Sequence, residues 1–382
     1  MLLNIDDLRT EARRRLPRAV FDYIDGAAED EVTRARNEQA FSSWTFSPRV
    51  LVDVGAIDES VTVLGRRHNS PLILAPTGLC GMAAPRGELL VARAAGRAGV
   101  TFTLSSLSAV SIEDVAAVAT GPLWFQLYVW QDRALTNSLV ERAARAGYEV
   151  LMVTADVPVA GQRERDHRNG ATIPPRITPR NAFEVLQRPA WMLQMLRNPR
   201  IEFANVTAGR GSAGRPFALS QYVNSQFDPT LTWKDIVALR SVWKGRLIVK
   251  GIMSAADAIR AADEGVDGIV VSNHGGRQLD GLPASLELLP EVVDAIGSRI
   301  EVLFDGGIRR GGDIAKALAL GARAILIGRP YLYGLGAAGE QGVELSISML
   351  RTELVRAMAL LGRPQVADLD RSALRPARTP AD

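Results

Sequence analysis

The segment SNHGGRQLD, residues 272–280, sets an imidazole, His274, beside two glycines and a guanidinium, Arg277. Histidine titrates near neutrality, so His274 can accept a proton from a substrate at working pH. Lys250 ends an apolar run, LIVK. An ammonium buried there needs an anionic partner, which a reduced flavin or a phosphate would supply. The segment GQRERDHRNG adds Arg163, Arg165 and Arg168. A planar guanidinium suits a substrate carboxylate, although Arg168 is expected to lie in a solvated loop. His68 and His167 are expected to be ordinary surface residues.

A second chemistry is anion binding. FDGGIRRGGD places adjacent glycines and two arginines, Arg309 and Arg310, ahead of a helical stretch, and LIGRP adds Gly328 and Arg329. Glycines let backbone N–H groups approach an anion, and a helix N-terminus with arginines favours its charge. A phosphorylated ligand is expected, either a substrate or a nucleotide such as FMN. Gly209, Gly211 and Gly214 in GRGSAG match the spacing of a dinucleotide fingerprint, but the segment runs into Arg215-Pro216. That fingerprint needs a buried strand before it and a helix after it, so no NAD site is expected. One cysteine, Cys80, and three histidines leave no basis for a multi-cysteine or multi-histidine metal centre, and no metal is expected.

Eight short apolar runs must position these groups: Leu72–Pro76, Thr101–Ser105, Leu123–Leu127, Val150–Thr154, Leu247–Lys250, Gly268–Ser272, Val302–Asp305 and Ala324–Gly328. Several are continuously apolar, the pattern of strands buried on both faces under helices. The stretches between them are Ala-rich with helical spacing, and several finish in Gly. Eight such units over residues 72–331 argue for an α/β fold, a (β/α)8 TIM barrel, whose active site lies at the C-terminal strand ends. Those ends carry Pro76-Thr77-Gly78, Ser105-Ser106, Gln126 with Tyr128, Thr154 with Asp156, Lys250, Asn273-His274, Asp305-Gly306-Gly307 and Gly328-Arg329. A single domain over 1–382 is expected. It comprises N-terminal helices and a hairpin in 1–71, the barrel in 72–361, and a loosely ordered tail in 362–382.

The rhythm breaks once, at a long insertion over residues 157–232 after the fourth strand. Its part 176–215 carries net charge +5, against +3 for all 382 residues, and holds Phe183, Leu186, Trp191, Leu193 and Leu196. A basic segment with Trp, Leu and Met suits a membrane interface; the alternative is a lid on the barrel mouth. No apolar run is long enough to span a bilayer, and the N-terminus has no secretory apolar core. With 47% hydrophobic and 23% charged residues the chain is globular in composition, and its small net charge implies no nucleic-acid partner.

Taken together, APTG, LWFQLYV, TADVP, SNHGGRQLD and DGGIRRGGD occur in the order found in the FMN-dependent 2-hydroxy-acid oxidising family. The chain resembles that family over nearly its whole length, most closely its membrane-associated (S)-mandelate and L-lactate dehydrogenases. The resemblance implies FMN as cofactor. It makes His274 the active-site base, Asp156 its supporting carboxylate, and Arg163 and Arg277 the carboxylate-binding pair. Tyr23 and Tyr128 become the tyrosines that hydrogen-bond substrate. It places Ala75, Pro76, Thr77, Ser105, Gln126, Thr154 and Ser272 around the flavin, with Lys250 at its N1–O2 edge. Asp305, Gly307, Arg309, Gly328 and Arg329 would hold its ribityl and phosphate groups. Hydride transfer, with His274 taking the hydroxyl proton, and a carbanion route, with His274 taking the Cα proton, use the same residues.

Two departures bear on the substrate. Gly78 stands where glycolate oxidases carry alanine, and Leu107 replaces their large aromatic; both imply more room than glycolate needs. GLCGM resembles lactate dehydrogenases, whereas GQRERDHRNG resembles mandelate dehydrogenases. The resemblance further implies a homo-oligomer, a tetramer, located in the cytoplasm and peripheral to the cytoplasmic face of the inner membrane through 176–215. No haem domain is expected before the barrel. Electrons would then pass to a separate acceptor, a quinone or, in a soluble glycolate-type oxidase, O2.

Overall fold

In the computed structural model, which describes residues 1–169, 179–197, 203–206 and 226–377, the eight apolar runs form a closed parallel barrel. Three short strands precede it: β1 (Trp44–Phe46), β2 (Val61–Val63) and β3 (Arg66–His68). The barrel consists of β4 (Leu72–Leu74), β5 (Thr101–Ser105), β6 (Leu123–Leu127), β7 (Val150–Thr154), β8 (Arg246–Ile252), β9 (Gly268–Val271), β10 (Glu301–Asp305) and β11 (Ala324–Ile327). It closes where β11 pairs with β4, Ile325 opposite Leu72. Every residue of β5, β6 and β7 is buried, which is why these runs are not alternating in sequence.

Local signals start and stop the crossover helices. The Asp132 carboxylate accepts from Leu135 N–H at 3.1 Å and Ser254 Oγ from Asp257 N–H at 3.1 Å, two side-chain N-caps. Gly99, in left-handed conformation, ends helix Gly87–Ala98 and turns the chain into β5. At the N-terminus, helices Ile5–Arg15, Arg18–Asp25 and Val32–Gln39 bury Ile5, Leu8, Phe21 and Ile24 against the rest of the core.

Three expectations are corrected. The tail after Gly362 is ordered through Ala377: β12 (Leu374–Pro376) pairs antiparallel with β1, and Val366, Leu369, Ala373 and Leu374 are buried. Those apolar residues give the tail something to bury, despite its polar composition. His68 is not a surface residue. It is the inward position of β3, buried, 3.1 Å from Thr101 Oγ1 and edge-on to Trp124. The third correction concerns Arg165 and is given with the site.

Of the insertion, helices Glu164–Arg168, Pro179–Leu186 and Pro189–Arg197 are described, with residues 203–206. Trp191 Nε1 donates to Met82 O at 2.9 Å, so the last of these helices touches the loop beyond β4. The segment 176–215 is thus described only in part, and Gly209, Gly211 and Gly214 lie outside the described residues. Among the described residues, no helix is long and apolar enough to cross a membrane.

Candidate active site

A cavity of about 490 Å³ opens at the C-terminal ends of the barrel strands. His274 enters it just past β9 with φ +58°. That left-handed conformation costs a non-glycine residue roughly 1–2 kcal/mol, so the surroundings must impose it. They do so with two contacts. Its N–H donates to Ser272 Oγ at 3.1 Å, and its Nδ1 lies 3.0 and 3.2 Å from the two Asp156 oxygens. A carboxylate at Nδ1 holds a proton there and leaves Nε2 to accept one.

Asp156 reaches this position because residue 251 is glycine. Gly251 has φ +105°, and a Cβ on it would stand 2.6 Å from Asp156 Cβ. The β8–β9 register shifts at this point, between Lys250 and Ile252. Burial alone would raise the Asp156 carboxyl; His274 and then Lys250 outweigh it and hold the group below the usual carboxylate range. Lys250 has an anion within the protein. Its Nζ lies 2.9 Å from Asp305 Oδ2 and donates to Ser272 Oγ at 2.7 Å. Burial opposes its charge, but Asp305 and Asp156 prevail and raise its pKa.

Two guanidinium groups converge on Tyr23 from different elements. Arg277 Nη1 donates to Tyr23 O at 2.8 Å and Gly26 O at 3.0 Å, and its Cζ lies 5.2 Å from the Tyr23 ring centre. Arg163 lies 5.9 Å from the same ring and donates from Nε to Asp166 at 2.8 Å. Burial, with Arg163 adding repulsion, lowers Arg277; for Arg163 burial is outweighed by Asp166 and the tyrosines. Burial pushes up the hydroxyl pKa of both Tyr23 and Tyr128. Tyr128 is packed edge-on to Phe227, ring centres 5.3 Å apart. Arg165 does not join the pair. It turns away to Asp25, Asp22 and Glu31, because those carboxylates on the N-terminal helices lie on its side of helix Glu164–Arg168. Arg168 is exposed and pairs with Glu164, and His167 is exposed at the cavity mouth.

The other end of the cavity is built for an anion. Gly307 has φ +79°, and a Cβ there would meet Asn37 O at 2.0 Å, so only glycine fits. Arg309 Nη2 donates to Glu38 at 2.7 Å. Arg329 donates to Gly275 O at 3.0 Å and Gly26 O at 2.8 Å, while its buried Nε has no partner. Burial without a neutralising carboxylate drives its pKa down to about 9. A buried guanidinium in this state, beside glycine backbone at the start of helix Arg329–Leu361, fits a phosphate group. Ala75, Pro76, Thr77, Thr154, Lys250, Asp305 and Gly328 line the space between the two ends. Ser105, Gln126 and Ser272 lie behind it: Ser105 Oγ donates to Gln126 Oε1 at 2.8 Å, and Gln126 Nε2 to Thr154 Oγ1 at 2.9 Å. The arrangement can thus serve, in one cavity, as a proton acceptor, a carboxylate clamp and a phosphate cradle.

Sequence reasoning missed Asp166, Phe203 and Phe227, which line the cavity, and Gly26, whose carbonyl accepts from Arg277. Asp166 had a signal: it follows Arg163 by three residues, the spacing of a helical ion pair. Gly26 acts through its carbonyl, which side-chain identities do not reveal.

Residues 12–376 match the family described as FMN-dependent dehydrogenase. The chain is 48% identical over 361 residues to a putative L-lactate dehydrogenase of Mycobacterium tuberculosis, covering 94% of this chain and 86% of that one. It is 42% identical over 368 residues to (S)-mandelate dehydrogenase of Pseudomonas putida, covering 96% and 92%. It superposes on the crystal structure of the monotopic membrane protein (S)-mandelate dehydrogenase with a TM-score of 0.94 at 41% identity, over 98% of this chain and 100% of that one.

Proposed function

The chain belongs to the FMN-dependent dehydrogenases, and we propose that it oxidises an (S)-2-hydroxy acid of the lactate or mandelate type to the 2-oxo acid, passing electrons to a separate acceptor such as a quinone. The observation that carries this reading is the placement of one Asp-supported histidine in the same cavity as two converging arginines. In its mechanism, Arg163 and Arg277 take the substrate carboxylate, and the Tyr23 and Tyr128 hydroxyls orient the acid. His274 Nε2 accepts the hydroxyl proton as the Cα–H bond breaks and C–O becomes C=O, and Asp156 stabilises the imidazolium that results. Lys250 and Asp305, the 75–77 turn and Thr154 would border the flavin; Gly307, Arg309, Gly328 and Arg329 would hold its phosphate. FMN, when bound, supplies the acceptor for the Cα hydrogen and the electron pair of that bond.

Anaerobic bleaching of the flavin absorbance by lactate, mandelate, glycolate and longer 2-hydroxy acids tests the reading. His274→Ala should keep the flavin and slow its reduction by about 10²–10⁴-fold, the usual cost of losing a general base. No bleaching of the wild type by any of these acids would defeat the proposal.

For the acceptor, we propose peripheral membrane contact through the insertion. Phe183, Leu186, Leu193 and Leu196 are all exposed on helices Pro179–Leu186 and Pro189–Arg197, with Arg188 between the helices and Arg197 at the end of the second. Apolar side chains beside basic ones suit an anionic lipid surface. The protein should float with anionic liposomes in low salt and less in high salt, because the electrostatic part is screened. Failure to float even in low salt would favour a lid, and with it a soluble oxidase that reduces O2.

A further inference from the structure

We infer that the acid carries a bulky apolar side chain, of about phenyl size, and that Phe203 selects for it; this rests on the 2-hydroxy-acid reading above. The cavity wall is chemically divided. His274, Arg163 and Arg277 form its polar part, whereas Leu79, Leu107 and Phe203 bring apolar surface to it. Gly78 lets that wall draw close: a Cβ there would stand 3.3 Å from Leu107 Cβ, tighter than ordinary contact, and 3.6 Å from the Tyr23 hydroxyl. The glycine therefore lies where Tyr23 and an apolar residue come together.

Phe203 comes from the 157–232 insertion, yet it is as buried as a barrel residue. It is 3% exposed. Its neighbour Ala204 donates N–H to Ser108 O at 3.1 Å. Asn205, fully buried, donates to Val110 O at 3.2 Å and accepts from Ile112 N–H at 2.9 Å and Arg142 Nη2 at 3.1 Å. The same β5–α loop carries Leu107, whose carbonyl accepts from Leu79 N–H at 3.2 Å. Phe203, Leu107 and Leu79 thus belong to one hydrogen-bonded unit, and Asn205 is its positioning residue. A wall of this kind gains little from a hydrogen or methyl group on Cα, but it desolvates a larger apolar group.

The test is anaerobic flavin reduction by (S)-mandelate and L-lactate in the FMN-loaded protein. Wild type should prefer mandelate in kcat/KM by at least about tenfold. Phe203→Ala should lower kcat/KM for mandelate by about ten- to hundredfold, the range of small changes in an apolar pocket, and leave lactate within about threefold. Phe203→Leu should recover most of the loss. Asn205→Ala should raise KM for mandelate with little change in kcat, since it acts only through the wall. A mandelate-to-lactate ratio unchanged in both Phe203→Ala and Phe203→Leu would overturn the inference. If Phe203→Ala loses FMN, Phe203→Val decides, and an unchanged ratio in it overturns the inference. The two levels fail differently: a wild type bleached by lactate and mandelate alike sinks the selectivity alone, while a wild type bleached by no 2-hydroxy acid sinks the parent reading too.

Discussion

Each end of the cavity carries two arginines, and the ends divide their charge in the same way. At the clamp, Arg163 is neutralised by Asp166, whereas Arg277 is held by backbone carbonyls. At the phosphate cradle, Arg309 pairs with Glu38, whereas Arg329 is again held by carbonyls. Among the described residues, neither Arg277 nor Arg329 has an ion-pair partner. Both donate to one acceptor, Gly26 O, just past helix Arg18–Asp25. The carbonyl end of a helix carries partial negative charge, which eases a buried cation without cancelling it. Each end is therefore left with one uncancelled positive charge, which a ligand anion would neutralise. The ends differ in what supports that charge. Arg277 stacks on Tyr23, with burial lowering its pKa; among the described residues Arg329 has no cation–π contact, and burial drives its pKa down to about 9.

Behind Gly26 stands a buttress shared by both ends. Asp25 is fully buried and bonds Arg9 at 2.6 Å, Arg165 at 3.1 Å and the Tyr333 hydroxyl at 2.8 Å. Burial would raise its pKa, but Arg9, Arg34 and Tyr333 outweigh it and hold the carboxyl far below the usual range. The N-terminal helices thus support the cavity, because they fix the carbonyl on which two cavity-lining arginines rest.

The largest expected effect breaks the likeness at the clamp. Arg277→Met removes the charge meant for the substrate carboxylate in a buried setting. Truncating one partner of a buried charge pair costs about 2–5 kcal/mol, so kcat/KM for the acid should fall about 30- to 5000-fold. FMN content should be unchanged. Arg277→Lys should recover only part, since an ammonium lacks the two-pronged geometry of a guanidinium. Loss of FMN in step with activity would show that the two ends are not separable.

The barrel was legible because parallel strands buried on both faces print as uninterrupted apolar runs, and LWFQL and VLMVT are such runs. His274 and the two glycine-arginine turns were legible because their residue types are costly to place at strand ends without a use. What stayed hidden acts across long separations or through the backbone. Nothing local in the sequence says that Gly26 O serves both Arg277 and Arg329, that Lys250 finds its anion in Asp305, or that Arg165 leaves the clamp for Asp25. The inward turn of His68 follows from a three-residue strand too short to show a period. Phe203 was visible only as one more apolar residue in a basic insertion; its burial is set by Asn205 reaching Val110, some 95 positions away in sequence.

The smaller effect is expected at the cradle, and it sharpens the comparison. Arg329→Met should weaken FMN binding by about 10- to 150-fold, the worth of charged hydrogen bonds at about 1.5–3 kcal/mol, read as the Kd of apoprotein for FMN. The loss is smaller than at the clamp because the phosphate keeps Arg309 and the glycine backbone at Gly307. Glu38→Gln should change the Kd far less, since it removes a negative charge that only tempers Arg309. Methionine also strands the carbonyls of Gly26 and Gly275, so a fall in stability would accompany it. Arg329→Lys separates the two: it keeps a charge for the phosphate but loses one of the carbonyl contacts. If the lysine variant binds FMN nearly as well as wild type, charge is what the cradle supplies. If it binds as weakly as the methionine variant, Arg329 serves to hold the Gly26 turn, and the clamp should then weaken with it. In that case kcat/KM for the acid in FMN-saturated Arg329→Lys would drop alongside the cofactor affinity, and the shared carbonyl would be the reason.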